Sequence, residues 1–135
     1  LYGDLAGGFA LIKDLYKSKV YELSNYRNSI SEVIPKDIIT KEPSAELRPN
    51  QLDTDSLPDY KVLDKILNLY IEQDSSSEKI IATGIQPDLV YDVLEKVDRN
   101  EYKRKQVAPG VKLTQKAFGK DRRMPITNTY IRQKE

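Results

Sequence analysis

The sequence predicts a mainly α-helical chain. Hydrophobic residues recur at intervals of three and four along several segments, which is the spacing of one helix face. Prolines and glycines flank these segments, and no convincing alternation of β-branched residues is present. The chain has 135 residues, of which 39% are hydrophobic and 32% are charged. We therefore expect one domain with one modest core and no second, independent core.

The first forty residues predict a loop, a long helix and a short helical turn. Residues 1–8 contain three glycines, which allow close backbone approaches that other residues resist. A helix is expected from Asp14 to Asn28. Its apolar face consists of Leu15, Tyr16, Val20, Leu23 and Tyr26. A helical turn is expected from Pro35 to Thr40, because proline favours the first helical position.

The middle of the chain predicts a long loop followed by another helix. Residues 41–58 contain three prolines and no sustained period, so we expect an ordered loop. Ser56, Pro58 and Asp59 form a helix start, with the hydroxyl as cap and the carboxylate at the positive end of the helix dipole. Asp74 and the serines at 75–77 end this helix. Its buried stripe is expected to be Tyr60, Leu63, Ile66, Leu67, Tyr70 and Ile71.

Two further helices and a tail complete the expected fold. The shorter helix runs from Glu78 to Thr83 and is closed by Gly84. The longer helix is expected to begin at Pro87 or one residue earlier and to continue to about residue 105, where the helical part of the chain ends. Its buried face is expected to be Leu89, Val90, Val93, Leu94 and Val97. Residues 106–135 have no period and are expected to form a wrapped or disordered basic tail.

The composition excludes several classes of function. With no Cys and no His, the chain has no disulfide, no structural zinc site and no Ser-His or Cys-His catalytic triad. The longest apolar run is four residues, whereas a membrane span needs about 20. We therefore expect a cytoplasmic chain that does not cross a membrane. Because it begins with Leu1 and has no signal peptide, we also expect it to be a piece of a longer polypeptide.

The net charge of +1 hides a polarised distribution. Residues 53–98 carry a net charge of −7, and residues 99–135 carry +8. The basic end could meet phosphate, nucleic acid or an acidic protein. Alternatively, the basic and acidic segments could fold against each other and neutralise one another.

Three single residues are candidates for binding anions or polar groups. Asp4 lies in the glycine-rich loop, where it could be presented to a ligand or could stabilise a turn. Lys17 lies near a helix start, where it could bind a phosphate or remain a solvated surface lysine. Ser44 lies between two prolines of the 41–58 loop, where its hydroxyl could bind phosphate or cap a turn.

A fourth candidate is a basic cluster in which residues 101–105 are joined by Lys120, Arg122 and Arg123. Its basic side chains flank a Pro-Gly turn and could converge on a polyphosphate or on nucleic acid, with Tyr102 or Phe118 as a stacking surface. A solvated basic end is the alternative. The sequence contains no glycine-rich phosphate loop of the Walker or dinucleotide type.

Several ordered sequence blocks carry a family resemblance. They read Tyr-Gly-Asp-Leu-Ala-Gly-Gly-Phe at 2–9, Lys-Asp-Leu-Tyr-Lys at 13–17, Pro-Ser-Ala-Glu-Leu-Arg-Pro at 43–49, Asp-Ser-Leu-Pro-Asp-Tyr at 55–60, Glu-Tyr-Lys-Arg at 101–104 and Ala-Phe-Gly-Lys-Asp-Arg-Arg-Met-Pro-Ile at 117–126. Together they resemble the C-terminal part of the synthetase domain of glutamine-dependent NAD synthetases. The extended tail resembles the glutamine-using branch of the family.

The resemblance implies a ligase reaction. The parent enzyme would adenylate deamido-NAD with ATP and Mg²⁺, release pyrophosphate, and let glutamine-derived ammonia displace AMP to give NAD. By matching position, Lys17 and Ser44 would bind ATP, whereas Asp4 and Lys103 would bind deamido-NAD. The resemblance assigns no catalytic residue and no metal ligand to this chain. The 41–58 loop resembles the family's mobile lid, which orders when substrates bind.

The resemblance also implies partners. The family's Rossmann-like α/β fold, of the adenine nucleotide alpha hydrolase type, carries a Ser-Gly-Gly-x-Asp-Ser loop that this sequence lacks. We therefore expect the chain to need the N-terminal half of the synthetase domain and a glutaminase domain, to hold no cofactor alone, and to be inactive alone. We expect a homo-oligomer and no nucleic acid partner. The alternative is a helical binding module whose basic tail meets nucleic acid or an acidic protein.

Overall fold

A computed structural model describes residues 7–44, 48–117, 121–125 and 127. These residues form no strand, which confirms the expected mainly α-helical chain. The helices of this described part are α1 (Lys17–Ile30), α2 (Lys36–Thr40), α3 (Tyr60–Leu67), α4 (Ser77–Ile81), α5 (Pro87–Arg99) and α6 (Glu101–Gln106). A 3₁₀ turn (Asp53–Asp55) precedes α3, and a π-helical turn (Asn68–Glu72) follows it directly. Across the described ranges, no helix is long and apolar enough to span a membrane.

The chain divides into two compact units. The core unit comprises Leu1–Leu15 and Lys65–Glu135, and the loop unit comprises Tyr16–Asp64. Every buried hydrophobic side chain that the structure describes belongs to the core unit. In the described part of the loop unit, no residue is buried. Hydrophobic packing therefore stabilises the core unit, whereas the loop unit depends on polar contacts.

The hydrophobic core lies where α4 packs against α5 and against the π-helical turn. The predicted stripes are confirmed at six buried positions, which are Ile66, Tyr70, Ile71, Val90, Val93 and Leu94. The other predicted members of the α3 and α5 stripes are half-buried, and these are Tyr60, Leu63, Leu67, Leu89 and Val97. The apolar face predicted for α1 is not buried, since Leu23 and Tyr26 are 46% and 65% exposed. Ile80 of α4 is fully buried although periodicity did not single it out. A helix of five residues is too short to show a period, which explains the omission.

The start of α1 differs from the predicted one by three residues. Helix α1 begins at Lys17 instead of Asp14, because the Asp14 carboxylate is engaged with the distant tail. The helix ends at Ile30, and the Asn28 side chain organises the turn that follows. Its oxygen accepts the backbone N–H groups of Val33 and Ile34 at 3.1 and 3.0 Å. The short helix predicted near Pro35 is confirmed as α2.

The cap of α3 is Asp59 and not Ser56. The Asp59 carboxylate accepts the backbone N–H of Lys61 at 2.8 Å, which satisfies a donor in the first turn of the helix. Ser56 instead closes the 3₁₀ turn, because its N–H donates to the Asp53 carbonyl at 3.1 Å. The prediction of a helix start in this segment is confirmed, but its capping residue was wrong.

Two helices end differently from the periodic pattern. After Leu67 the helix widens into the π-helical turn, where the Gln73 N–H reaches the Asn68 carbonyl at 3.2 Å. The predicted continuous helix to Lys105 is wrong, because it breaks at Asn100. The Asn100 side chain donates to the Lys96 carbonyl at 2.7 Å and so ends α5. Helix α6 begins at Glu101, and the Lys103 N–H donates to the Asn100 carbonyl at 3.0 Å.

The described part of the tail belongs to the core unit and contacts the segment before α1. The Asp14 carboxylate, whose residue is 6% exposed, accepts the backbone N–H groups of Leu113 and Thr114 at 2.6 and 2.7 Å. Lys13 Nζ donates to the Ala108 carbonyl at 2.6 Å, and the Ala10 N–H donates to the Pro109 carbonyl at 2.8 Å. The backbone of the tail is therefore fastened to the segment before α1 by hydrogen bonds with two side chains and one backbone group of that segment.

Two ion pairs join the basic tail to the acidic segment of the same unit. Lys116 Nζ contacts the Asp74 carboxylate, and Arg122 contacts the Asp98 carboxylate at 3.2 Å. The Arg122 guanidinium also lies 4.1 Å from the centroid of the Tyr70 ring. These contacts favour the interpretation in which the two oppositely charged segments neutralise one another.

The core predicts a large difference between two leucine substitutions. Leu94→Ala should lower the free energy of unfolding by about 2–5 kcal/mol, because it leaves a cavity at a fully buried position. Leu11→Ala, in the same unit but 62% exposed, should change it by less than about 0.5 kcal/mol. Urea unfolding followed by circular dichroism measures both. Equal effects of the two substitutions would contradict this placement of the core.

Candidate functional site

Lys17 lies at the beginning of α1 with its side chain exposed. Its Nζ atom is 6.0 Å from the ring centroid of Tyr21 and 6.0 Å from that of Tyr60. These rings are at the outer limit of cation–π distance, so they border the ammonium without burying it. The ammonium therefore remains available to an anion.

A carboxylate from α3 fixes the N-terminus of α1. Tyr16, which precedes α1, provides no side-chain cap. The Ser18 N–H instead donates to Asp64 Oδ2 at 3.0 Å. A carboxylate at this end of a helix also interacts favourably with the helix dipole. Asp64 thereby sets the position of the helical turn that carries Lys17.

Tyr60, the first residue of α3, holds the end of the 41–58 loop. Its hydroxyl donates a short hydrogen bond to Asp53 Oδ2. Burial raises the pKa of the Tyr60 phenol well above its ordinary value, and the hydrogen bond to Asp53 and the charges of Asp53 and Asp64 raise it further. The phenol is therefore a hydrogen-bond donor, and not a phenolate, throughout the physiological pH range.

The loop that carries Ser44 is closed by its own backbone. The Asp53 N–H donates to the Pro43 carbonyl at 2.9 Å, and the Leu52 N–H donates to Asp55 Oδ2 at 2.9 Å. Asn50 adopts a φ of 57°, a left-handed conformation that asparagine tolerates better than most residues. Ser44, half-buried, directly follows the residue that accepts the Asp53 N–H.

A cavity of about 690 Å³ opens in this loop. It is lined by Lys41, Glu42, Ser44, Arg48, Pro49, Asn50, Gln51 and Leu52. Two cationic side chains, one carboxylate and one hydroxyl give this lining a net positive charge and several hydrogen-bond donors. Its cationic side chains are suitable partners for phosphate groups.

Helix α6 presents Lys103 on its exposed side. Glu101 and Arg104 are only 4% and 7% exposed, and their side chains form an ion pair at 3.4 Å. Tyr102 and Lys103 between them are exposed. Because a buried charge is costly unless it is paired, the Glu101–Arg104 pair fixes which face of α6 lies inward. Lys103 is therefore directed toward solvent.

The structure divides the predicted site residues between the units. Lys17 and Ser44 belong to the loop unit, and Lys103 belongs to the core unit. Asp4 lies outside the described residues. Within the described ranges, no group of three or more acidic residues could hold a metal ion.

The predicted basic cluster does not act as one patch in the described residues. Arg104 is buried with Glu101, and Arg122 lies on Tyr70 and Asp98. Arg123 is exposed, and Lys120 lies outside the described residues. The opposite charges three residues apart on α6 were a signal that one basic residue would be used internally.

Sequence reasoning missed Tyr60, Asp53 and Asp64 as neighbours of the candidate site. A helix that begins after Tyr16 has no cap of its own, so a donor in its first turn needs a partner from elsewhere. The sequence did not show this need, because it predicted a helix start at Asp14, a residue type that can itself cap a helix. The Tyr60–Asp53 contact crosses an irregular segment, for which no periodicity predicts register.

Comparison with known proteins gives consistent matches. A family model described as NAD synthase matches residues 1–107. A glutamine-dependent NAD(+) synthetase from Aquifex aeolicus is 57% identical over 132 residues, which is 98% of this chain and 23% of the relative. That of Thermotoga maritima is 54% identical over 132 residues, 96% of this chain and 23% of the relative.

A solved structure gives the same result. Glutamine-dependent NAD+ synthetase from Acinetobacter baumannii, in complex with ADP, is similar with a TM-score of 0.53 and 48% sequence identity. The match covers 95% of this chain and 22% of that one. The chain therefore spans about a quarter of the length of the relatives it matches.

The raised pKa of Tyr60 predicts a change of stability at alkaline pH. The folded state holds the phenolic proton more tightly than the unfolded state, whose tyrosine pKa is about 10. The stabilisation is therefore complete below about pH 10 and is lost as the pH rises above that value. We expect the free energy of unfolding of Tyr60→Phe to fall less steeply above about pH 10 than that of the wild type.

Urea unfolding at a series of pH values measures this difference. Tyr26→Phe is the matched control, because Tyr26 lies on α1 with 65% of its surface exposed. It should follow the wild-type pH dependence. If the free energy of unfolding fell equally steeply above about pH 10 in the wild type and in Tyr60→Phe, the raised pKa of Tyr60 would be contradicted.

Proposed function

Because the chain belongs to the NAD synthase family, we propose that it is the C-terminal portion of the synthetase domain of a glutamine-dependent NAD synthetase. The complete enzyme activates the nicotinate carboxylate of deamido-NAD with ATP and releases pyrophosphate. Ammonia derived from glutamine then displaces AMP and gives NAD. This portion contributes binding groups, and we assign no catalytic residue to it.

The observation that carries this proposal is the cationic cavity around Ser44, which lies in the same unit as Lys17. A reaction that forms an acyl adenylate must hold a triphosphate and stabilise the charge of departing pyrophosphate. An exposed ammonium, a hydroxyl and a cavity lined by Lys41 and Arg48 supply suitable groups. The A. baumannii relative was solved with ADP, which supports a nucleotide ligand for this family.

We assign two substrates to two sets of residues. Lys17 and Ser44 bind ATP, and Asp4 and Lys103 bind deamido-NAD. The exposed position of Lys103 on α6 supports its assignment, because the ammonium is directed away from the buried Glu101–Arg104 pair. The 41–58 loop acts as a lid, and the 3₁₀ turn near its end provides a firm attachment on α3.

The Mg²⁺ that accompanies ATP is proposed to find its protein ligands elsewhere in the enzyme. Among the described residues, no group of three or more acidic side chains could hold a metal ion. The Rossmann-like sheet and its phosphate-binding loop are likewise assigned to the portion of the synthetase domain that precedes this chain. The cytoplasmic location expected from the sequence stays a prediction.

The proposed partners are the rest of the synthetase domain, a glutaminase domain and a second copy of the enzyme. Large apolar side chains of the loop unit support extensive contacts, since several are more than half exposed. They are Tyr26, Ile30, Val33 and Ile38. The alternative of a nucleic acid module is disfavoured by the tail, whose Lys116 and Arg122 are paired with the chain's own carboxylates.

The proposal predicts no synthesis by the chain alone. ATP, Mg²⁺, deamido-NAD and ammonia should give no NAD with this chain. The reason is that the chain lacks the Ser-Gly-Gly-x-Asp-Ser loop with which the family binds the departing pyrophosphate. The full-length enzyme that carries the chain should give NAD from the same mixture. Chromatographic detection of NAD measures both, and clear turnover by the chain alone would overturn the assignment.

Substitutions in the full-length enzyme should separate the two substrates. Lys17→Ala should raise the KM for ATP by about tenfold or more, because one charge-assisted hydrogen bond is lost. Lys103→Ala should raise the KM for deamido-NAD by a similar factor and leave the KM for ATP nearly unchanged. Lys36→Ala, an exposed lysine on α2, is the control and should change neither value. An effect of Lys17→Ala on deamido-NAD alone would contradict the assignment.

A further inference from the structure

Tyr60 is linked to the loop that carries Ser44 and lies near Lys17, both within the loop unit. Its hydroxyl donates to the carboxylate of Asp53. The centroid of its ring is 6.0 Å from Nζ of Lys17. One side chain therefore reaches the end of the Ser44 loop with its polar tip and borders the Lys17 ammonium with its ring.

A chain of hydrogen bonds continues from Asp53 to the neighbour of Ser44. The Asp53 N–H donates to the Pro43 carbonyl at 2.9 Å, which joins the two ends of the segment that surrounds the cavity. Ser44 is the next residue after Pro43. Since peptide geometry allows only two soft rotations per residue, fixing Pro43 restricts where the Ser44 side chain can be directed.

Lys17 is fixed by an independent contact with the same helix. Asp64, four residues after Tyr60 on α3, accepts the Ser18 N–H at 3.0 Å. Positions four apart lie on one face of a helix. The same face of α3 thus holds the beginning of α1 through Asp64 and the end of the lid loop through Tyr60.

We propose that Tyr60 is a positioning residue that sets the separation of Lys17 and Ser44 for the phosphates of ATP. The inference rests on the proposed function for the identity of the ligand. Tyr60 itself touches no substrate in this scheme. Its hydroxyl holds Asp53, Asp53 holds Pro43, and the ring limits the directions open to the Lys17 side chain.

The hydroxyl and the ring make separable contributions. Tyr60→Phe retains the ring beside Lys17 and removes the hydroxyl group that donates the hydrogen bond. The Asp53 carboxylate then loses the hydrogen bond that ties it to α3. Tyr60→Leu removes the aromatic ring as well. It therefore tests the effect of the ring on the Lys17 side chain in addition to the attachment of the loop.

Hydrogen exchange in the full-length enzyme tests the positioning network without reference to activity. In Tyr60→Phe, backbone exchange over residues 48–55 should accelerate about tenfold, because loop opening no longer has to break the hydroxyl bond to Asp53. Exchange in α5 should stay unchanged. Tyr26→Phe, on the exposed face of α1, should exchange like the wild type. Unchanged exchange at 48–55 in Tyr60→Phe would overturn the proposal.

Steady-state kinetics of the same enzyme tests the functional part. Tyr60→Phe should raise the KM for ATP by about fivefold while leaving the KM for deamido-NAD and the fold intact, and Tyr60→Leu should raise it further. Asp53→Ala should resemble Tyr60→Phe, and the double variant should be no worse than either single one, because both remove the same contact. Additive effects, or an equal rise in both KM values, would indicate a merely structural role and overturn the proposal.

Lys17→Ala and Ser44→Ala separate this inference from the proposed function. If neither substitution changes the KM for ATP, the assignment of the ATP site fails, whatever the result for Tyr60. If both raise it and Tyr60→Phe does not, the ATP site stands and the positioning role of Tyr60 is wrong.

Discussion

The pairing of buried charge is the constraint on which the described structure depends. The core unit encloses few hydrophobic side chains completely, yet it also buries Asp14, Glu101 and Arg104. An unpaired charge in such a place would cost more than the neighbouring apolar contacts return. Asp14 meets its partners in the tail and thereby fixes the path of the tail, whereas Glu101 and Arg104 pair with each other within α6 and fix which face of that helix lies inward.

Asp14 illustrates how far this constraint reaches along the chain. Its carboxylate accepts N–H groups from Leu113 and Thr114, about one hundred residues away. The tail has no regular structure there, so its backbone donors need acceptors from outside the segment. Gly110 lets the same tail approach closely, because a Cβ at this position would collide with the Ala10 carbonyl. An irregular segment is thereby held in a defined place.

The sequence predicted the features that repeat locally and missed those that depend on distant partners. Pro87 and the apolar spacing from Val90 to Leu94 identified α5, because helix periodicity is a property of neighbouring residues. The break at Asn100 depends on one side-chain amide bonding to Lys96, which competes with continuation of the helix. The Asp14 contact with the tail has no local signature at all.

In the candidate site, too, local motifs identified some residues, whereas contacts between distant residues were not predictable. Lys17, Ser44 and Lys103 were identified by resemblance of short motifs, and the structure describes all three. The contact of Tyr60 with Asp53 was not predictable, because the segment between them contains a 3₁₀ turn and no sustained period. Motifs indicate which groups meet a ligand, whereas the contacts that orient those groups come from residues with ordinary spacing.

The polar character of the loop unit suits the function proposed for it. A unit without buried residues in its described part has little hydrophobic energy to oppose local opening. Hydrogen bonds such as those of Asp53 and Asp64 contribute about 1 kcal/mol each in net terms. The phosphates of a nucleotide can form several charge-assisted hydrogen bonds. The free energy of these bonds exceeds the cost of rearranging so few contacts. In the proposed function, the 41–58 loop can thus rearrange around ATP while the core unit, closed by buried side chains and paired charges, keeps its structure.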